Sequence, residues 1–121
     1  MSLTGPVFNF DNIRHSRDGN ILTCNCQVGA DMPFFNGHFP ALPIMPAAVQ
    51  IEMLNSLLQQ TNWNVIITGG RGLKFTGRVA PGDALAIRLQ RESSGDASFS
   101  VANNVTVVSR GFLQLAGNTL D

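Results

Sequence analysis

The segment from Phe34 to Gln60 constrains the fold more than any other part of the chain. It opens as a loop interrupted by residues that prevent a helix from starting early: Gly37, Pro40, Pro43 and Pro46. Pro46 suits the first position of a helix, because the N–H that proline lacks would have no intrahelical acceptor there. No glycine or proline follows between Ala47 and Gln60, and most residues in this stretch favour helix. The sequence therefore predicts a turn-rich loop followed by one long helix.

The predicted helix is apolar around most of its circumference. Its apolar members are Ala47, Ala48, Val49, Ile51, Met53, Leu54, Leu57 and Leu58. A helix of this kind is expected to be buried. Glu52 is its one carboxylate, and burying a carboxylate is costly unless the group is paired or used. We expect Glu52 to line a cleft, together with the small and polar residues that share its stripe: Ala48, Asn55, Ser56 and Gln59.

The rest of the chain carries the alternation and turn signals of short strands. Predicted strands are Val7–Arg14, Ile21–Val28, Val65–Thr68, Leu73–Val79, Leu85–Arg91, Phe99–Val108 and Gly111–Ala116. The turn signal Asp18-Gly19-Asn20 predicts that the first two form a hairpin. We predict an α+β fold over residues 1–121, a single domain in which an antiparallel sheet of about six strands wraps one central helix. One helix covers one face of a sheet and the edge strands need cover, so a two-fold dimer is expected.

Composition narrows the classes of function. The net charge is zero and 13% of residues are charged, so bulk charge gives no case for nucleic-acid binding. The second half of the chain is mildly basic, which indicates either an acidic partner or ordinary solvated strand faces. No apolar run is long enough to span a bilayer, and no signal-like segment opens the chain. These features predict a cytoplasmic protein without membrane insertion.

The two cysteines are predicted to be structural. Cys24 and Cys26 are two residues apart in a predicted strand, so their side chains share a face. That geometry opposes a disulfide between them. A zinc site would need further ligands that no second cysteine pair supplies. We interpret them as buried, reduced thiols and predict no metal site.

Two blocks of sequence resemble the (3R)-hydroxyacyl-[acyl carrier protein] dehydratases of the hot-dog fold. The first is GHFPALPIMPAAVQIEML, from Gly37 to Leu54, in which His38 precedes Glu52 by fourteen residues as in the family signature. The second is Leu73–Phe75 followed by Pro81–Asp83, which is similar to the family's Lys-Phe and Pro-Gly-Asp segment. Several fixed residues in two separate blocks make a more specific match than one short motif.

The chain departs from the family pattern at two positions of the signature. Ala47 stands where the family usually has glycine, and Ser56 stands where it often has glutamine. These changes affect the shape of the pocket and the placing of the carboxylate. The short stretch before the first predicted strand makes the chain similar to the short dehydratases of aryl-polyene and related acyl pathways.

The resemblance implies a lyase that dehydrates (3R)-3-hydroxyacyl-[acyl carrier protein] thioesters to trans-2-enoyl thioesters, in fatty acid or related acyl and polyene biosynthesis. His38 is then the base, and Glu52 is the acid that assists the departing hydroxyl or orients a water. The N–H groups of Ala47 and Ala48 are expected to hold the thioester oxygen. The family brings the histidine of one subunit to the carboxylate of the other in a homodimer. No cofactor is implied, since the substrate arrives on the phosphopantetheine of the carrier protein.

Further residues are candidates for substrate and carrier contacts. The acyl tunnel is expected to have as walls Phe34, Phe35, Phe39, Ile44 and Met45. Candidates for docking the acidic carrier protein are Arg71, Lys74 and Arg78. Two other functions stay open. One is a hot-dog acyl thioesterase in which Glu52 activates water, and the other is a non-catalytic subunit that binds acyl groups.

Overall fold

The computed structural model describes residues 8–29 and 45–117. Within these ranges the chain forms one helix and six strands: β1 (Phe10–His15), β2 (Ile21–Gln27), α1 (Ala47–Gln59), β3 (Val65–Phe75), β4 (Ala84–Arg91), β5 (Ala97–Ala102) and β6 (Val107–Gly117). The strands make a single sheet in the order β1-β2-β4-β5-β6-β3, and every neighbouring pair is antiparallel. The predicted α+β class, with one helix and an antiparallel sheet, is confirmed.

The helix packs one face against the sheet. Its fully buried side chains are Met53, Leu54, Leu57 and Leu58, each at most 1% exposed. Burying a side chain of this size contributes about 1.5–3 kcal/mol relative to leaving it in water. The opposite face is open to solvent, with exposed Ala47, Ala48, Glu52 and Gln59. The prediction of a helix buried all round is therefore wrong for the single chain, because the sheet covers only one side of it.

The start and length of α1 agree closely with the prediction. Pro46 is the N-cap rather than the first helical residue, with φ −62° and ψ 154°. Its carbonyl accepts the first hydrogen bonds of the helix, from Val49 N at 3.0 Å and Gln50 N at 3.1 Å. The helix ends at Gln59, one residue before the predicted end. Among residues 8–29 and 45–117, none of the helical structure is both long enough and apolar enough to cross a membrane.

The predicted hairpin and alternation of the first strands are confirmed. β1 pairs with β2 and β2 pairs with β4. Along β2 the inward side chains are buried, as at Leu22, while the outward ones reach solvent, as at Asn25. The same alternation runs along β4, with Ile87 buried and Arg88 exposed. The inner face of the sheet is thus apolar and the outer face is polar.

β3 differs from the prediction of two short strands. Val65–Thr68 and the start of Leu73–Val79 belong to one strand of eleven residues, which ends at Phe75. Gly69 and Gly70 do not interrupt it, because the register with β6 shifts at this point and again between Arg71 and Lys74. Such bulges admit extra residues into one strand while pairing continues on either side.

The boundary between the last two strands also differs. The strand predicted over Phe99–Val108 ends at Ala102, where a turn begins. Asn103 makes this turn, since its Oδ1 accepts hydrogen bonds from Val105 N and Thr106 N, both at 2.9 Å. An asparagine side chain that bonds to backbone groups just ahead of it favours a turn over a strand. Gly111, the predicted start of the last strand, lies inside β6 instead.

Trp63 ties the segment after α1 to the turn between β1 and β2. Its indole Nε1 donates a hydrogen bond to Gly19 O at 3.0 Å. The guanidinium carbon of Arg91 lies 5.2 Å from the centre of its ring, on the ring face. This tryptophan is only 8% exposed. The hydrogen bond gives its buried N–H an acceptor, and the cation–π contact stabilises the ring face.

The interpretation of the cysteines as buried, reduced thiols is confirmed. Cys24 is 4% exposed, Cys26 is 1% exposed, and neither forms a disulfide. Burial disfavours the thiolate and raises the pKa of Cys24 to about 12 and that of Cys26 to about 11. Thiols in this state are poor nucleophiles, so they serve the core.

We expect the free energy of unfolding to fall as the pH rises above 9. Thiols of the unfolded chain titrate near 9.0, whereas the folded thiols keep their protons until about 11 to 12. Unfolding between these values releases protons, so stability declines by up to about 1.4 kcal/mol per pH unit for each thiol. Urea unfolding followed by far-ultraviolet circular dichroism at several pH values measures this slope. A Cys24→Ala, Cys26→Ala variant is the control, and an unchanged slope in it would contradict the assignment.

Candidate functional site

The turn Pro81–Asp83 is built by hydrogen bonds within itself. Asp83 Oδ2 accepts from Ala80 N at 2.8 Å, and Asp83 N donates to Ala80 O at 3.1 Å. Gly82 has φ +87°, a conformation that glycine adopts without strain. The Pro-Gly-Asp sequence therefore specifies one rigid turn at the start of β4.

This turn holds the chain on both sides of residues 30–44. On one side Val28 N donates to Asp83 O at 2.8 Å, and Gly82 N donates to Val28 O at 2.9 Å. On the other side Met45 N donates to Val79 O at 2.8 Å, just before the same turn. The second motif block and the residues just before it thus anchor the chain on both sides of residues 30–44, a range that includes Gly37 to Ile44 of the first block.

Glu52 lies on the solvent-facing side of α1. Its side chain is exposed, and it makes no hydrogen bond or ion pair with any residue in the described part of the chain. In the single chain Glu52 is a surface carboxylate, and its place in a cleft stays a prediction. The core-packed face of α1 points the other way, so the phase of the helix keeps this carboxylate at the surface.

The stripe that contains Glu52 continues onto the edge strand β3. Asn55 Oδ1 accepts a hydrogen bond from Ile67 N at 3.1 Å, and Gln59 Nε2 donates to Val65 O at 3.2 Å. These bonds attach the stripe to the start of β3. The predicted polar stripe is therefore confirmed as one side of α1, and it forms a continuous surface with an edge of the sheet.

The start of α1 offers backbone donors beside this stripe. Ala47 and Ala48 are exposed. Their N–H groups precede the first hydrogen bonds of the helix and donate to no acceptor within residues 8–29 and 45–117. The positive end of the helix dipole adds to the field of such donors. The arrangement can hold an anion or a polarised carbonyl oxygen.

Several predicted site residues lie outside the described residues: His38, Phe34, Phe35, Phe39 and Ile44. Of the predicted tunnel walls the structure places Met45, which is 3% exposed and contributes to the core. That His38 of one subunit faces Glu52 of the other therefore stays a prediction.

The predicted docking residues separate into two places. Arg71 and Lys74 are exposed on β3, and the guanidinium carbon of Arg71 lies 4.2 Å from the centre of the Phe112 ring. Arg78 is exposed beyond the end of β3, where its carbonyl accepts a hydrogen bond from Asn103 Nδ2 at 3.3 Å. The structure adds Arg110, which lies directly opposite Lys74. Sequence reasoning missed Arg110, because only strand register brings residues 74 and 110 together.

Comparison with protein families decides the membership of this chain. Residues 14–111 match the ApeI-like family, described as ApeI dehydratase. The chain belongs to the ApeI-like dehydratase family. The matched range includes both motif blocks, so the resemblance seen in the sequence is confirmed.

Individual relatives of this ApeI-like chain carry related names. It is 30% identical over 93 residues to the 3-hydroxyacyl-[acyl-carrier-protein] dehydratase FabZ of Natranaerobius thermophilus, covering 70% of this chain and 66% of that protein. It is 36% identical over 73 residues to the bifunctional enzyme LpxC/FabZ of Bacteroides thetaiotaomicron, covering 53% of this chain and 16% of that protein. The chain thus spans less than two thirds of the length of these relatives.

The fold of the ApeI-like chain matches a solved dehydratase. The dehydratase heterocomplex ApeI:P from Xenorhabdus doucetiae superposes with a TM-score of 0.73 at 18% identity, covering 92% of this chain and 97% of that one. The hot-dog fold that the sequence predicted is confirmed. At this level of identity the match carries the fold and not the chemistry.

Proposed function

We propose that this chain dehydrates (3R)-3-hydroxyacyl thioesters carried by acyl carrier protein to trans-2-enoyl thioesters. The observation that carries the proposal is the arrangement on α1. A carboxylate without a structural partner among the described residues, Glu52, shares a helix with the unengaged N–H groups of Ala47 and Ala48. This arrangement lies within the range of residues that matches the dehydratase family. A residue that the fold does not use is a candidate for chemistry.

The reaction assigns one task to each group. His38 removes the proton from C2, beside the thioester carbonyl, and negative charge develops on the thioester oxygen. The N–H groups of Ala47 and Ala48 stabilise that oxygen. Glu52 donates a proton to the hydroxyl on C3, the C–O bond breaks, water leaves and a double bond joins C2 to C3. Returning the proton from His38 to Glu52 through solvent completes the cycle, which needs no redox cofactor.

A second subunit is part of the proposed site. The stripe around Glu52 is continuous with β3, an edge strand on which Ile66 is 36% exposed and Leu73 is 39% exposed. Exposed apolar residues on a strand edge favour pairing with another chain. A two-fold homodimer built here covers Glu52 and allows His38 of one subunit to face Glu52 of the other. The solved relative is a heterocomplex, so a related but different chain is the alternative occupant.

The substrate is proposed to enter on a protein carrier. The relative from Natranaerobius thermophilus is named for acyl-carrier-protein substrates. Arg71 and Lys74 are exposed cations that fit an acidic carrier, and Arg78 is the third candidate. The acyl chain is then proposed to run between Met45 and the four aromatic and aliphatic residues predicted to line the tunnel: Phe34, Phe35, Phe39 and Ile44. A reaction on a substrate bound to acyl carrier protein is proposed to take place in the cytoplasm.

Incubation with a trans-2-enoyl thioester separates the candidate functions. A dehydratase run in reverse adds water to the double bond and releases no thiol. We expect loss of the enoyl absorbance and formation of the 3-hydroxyacyl thioester by mass spectrometry. Release of free thiol, detected with a disulfide reagent, would instead indicate a thioesterase. Binding without either reaction would indicate a non-catalytic acyl-binding subunit.

Mixed subunits test whether His38 and Glu52 act across the dimer. We expect His38→Ala and Glu52→Gln each to abolish nearly all turnover. Co-expressing the two variants gives about half mixed dimers, each with one complete site, so about a quarter of the wild-type activity is expected to return. The two inactive variants mixed without subunit exchange are the control. Failure of the co-expressed sample to regain activity would contradict a shared site.

Ala47→Pro tests the proposed backbone donor. Proline removes only the N–H of residue 47, and Pro46 already has the extended ψ of 154° that a following proline requires. The helix is therefore expected to remain, while kcat falls by about 10²–10³-fold through loss of one oxyanion donor. Ala47→Gly keeps the N–H and is the matched control. Full activity in Ala47→Pro, with helical content unchanged by circular dichroism, would remove this donor from the mechanism.

A further inference from the structure

Asn55 joins the helix of the proposed site to the edge of the sheet. Its Oδ1 accepts a hydrogen bond from Ile67 N at 3.1 Å. Because β3 is the last strand in the sheet order, backbone groups on its outer edge have no neighbouring strand within the described part of the chain. The side chain of Asn55 satisfies one of these groups. Its amide is therefore held by two regular elements, by α1 through its Cα and by β3 through its oxygen.

The bond to Ile67 also fixes which way the amide of Asn55 is turned. A backbone N–H is a donor, so it must be bonded to the oxygen of the amide and not to the nitrogen. The NH2 group of Asn55 has two N–H donors, and neither has an acceptor among residues 8–29 and 45–117. An asparagine that only ties α1 to β3 needs only its oxygen. The NH2 group is thus available to bind something else.

The NH2 group of Asn55 lies beside the carboxylate assigned to the chemistry. Glu52 and Asn55 are three residues apart on α1, a separation that brings the Cβ atoms to within about 5–6 Å. The two side chains are not hydrogen-bonded to each other in the single chain. A hydroxyl or water oxygen has two lone pairs, so one such atom can accept from a protonated Glu52 and from Asn55 together.

The other polar residues of the stripe are less suited to holding that oxygen. Gln59 lies about 10.5 Å from Glu52 along the helix axis, and its Nε2 donates to Val65 O at 3.2 Å. Ser56 is half-buried, and its hydroxyl makes no hydrogen bond with a described residue that would fix its rotation. Within the described stripe, Asn55 is the residue that combines a fixed orientation with unengaged donors.

We propose that the NH2 group of Asn55 binds the oxygen on C3 of the substrate and so selects acyl thioesters that carry a 3-hydroxyl group. This inference rests on the proposed dehydration, because it assigns the second lone pair of the leaving oxygen. Glu52 protonates that oxygen, the C3–O bond breaks and water leaves, while the N–H of Asn55 keeps its hydrogen bond and transfers no proton. In the reverse direction the same N–H holds the water that adds to C3.

The proposed contact gives the site a means of rejecting other acyl groups. A site that donates a hydrogen bond to a substrate hydroxyl disfavours an analogue without it, because a donor then loses its water and gains no acceptor. A saturated acyl thioester of the same length fills the same space but offers Asn55 nothing to bind. The NH2 group is therefore expected to matter for the hydroxylated substrate and not for the saturated analogue.

Asn55→Asp separates the two ends of the side chain. Aspartate keeps an oxygen for the N–H of Ile67, so the link between α1 and β3 is expected to remain, while the N–H donors are lost. Ser56→Asp adds the same charge one residue further along α1 and leaves Asn55 in place, so it is the matched control. Asn55→Ser removes the NH2 group without adding charge, and it carries the test if Asn55→Asp does not fold by circular dichroism.

Two pantetheine thioesters test the proposal on the full chain. We measure kcat/KM for dehydration of a (3R)-3-hydroxyacyl thioester, and the inhibition constant of the saturated acyl thioester of the same length. In Asn55→Asp and Asn55→Ser we expect kcat/KM to fall by about tenfold or more, while the inhibition constant changes by less than about twofold. Ser56→Asp is expected to lose less kcat/KM than Asn55→Asp, because it keeps the donor.

Each contrary outcome has a distinct meaning. Unchanged kcat/KM in the Asn55 variants would overturn the proposal. A parallel loss of kcat/KM and of inhibitor binding would also overturn it, because Asn55 would then only support the structure. Equal loss in Asn55→Asp and Ser56→Asp, with Asn55→Ser active, would assign the effect to charge and overturn it as well. Absence of dehydration by the wild-type protein would overturn the proposed function itself, and this inference with it.

Discussion

The contact between the apolar face of α1 and the inner face of the sheet determines where every other feature of the site lies. Four side chains of α1 must face the sheet, because they complete the hydrophobic core: Met53, Leu54, Leu57 and Leu58. A helix is rigid about its axis, so the direction of these side chains fixes the direction of all others. Glu52 is turned to solvent, and the N-terminal donors of α1 lie at the same exposed side. The proposed chemistry thus depends on packing in which none of the proposed reacting groups takes part.

The segment that contains the second motif block bonds to the chain on either side of residues 30–44. Val28 and Met45, which lie on either side of residues 30–44 in the sequence, both bond to the segment that contains the Pro81–Asp83 turn. Closing a loop costs conformational entropy, and fixing both ends of a segment limits the conformations that it can adopt. Residues far from His38 in the sequence are therefore expected to influence its position.

Local patterns in the sequence predicted local structure well. The helix from Ala47 onwards, the β1–β2 hairpin and the alternation of β4 follow from propensity and periodicity, which act over a few residues. The merging of two predicted strands into β3 did not follow, because pairing with β6 overrides the glycines at 69 and 70. The exposure of Glu52 also depends on what covers the helix, which the helix sequence does not encode. The neighbouring positions of Lys74 and Arg110 required strand register, since the two residues are far apart in the sequence. The signature identified the family, while the position of its histidine stays a prediction.

Trp63 gives the protein a built-in optical signal. It is the single tryptophan of a chain that contains no tyrosine, so its indole dominates the intrinsic emission. The indole is almost enclosed, donates to Gly19 and lies under the Arg91 guanidinium. Its emission is expected to shift to longer wavelength when the segment after α1 separates from the first hairpin and water reaches the ring. Opening of that end of the molecule can therefore be followed without attaching any dye.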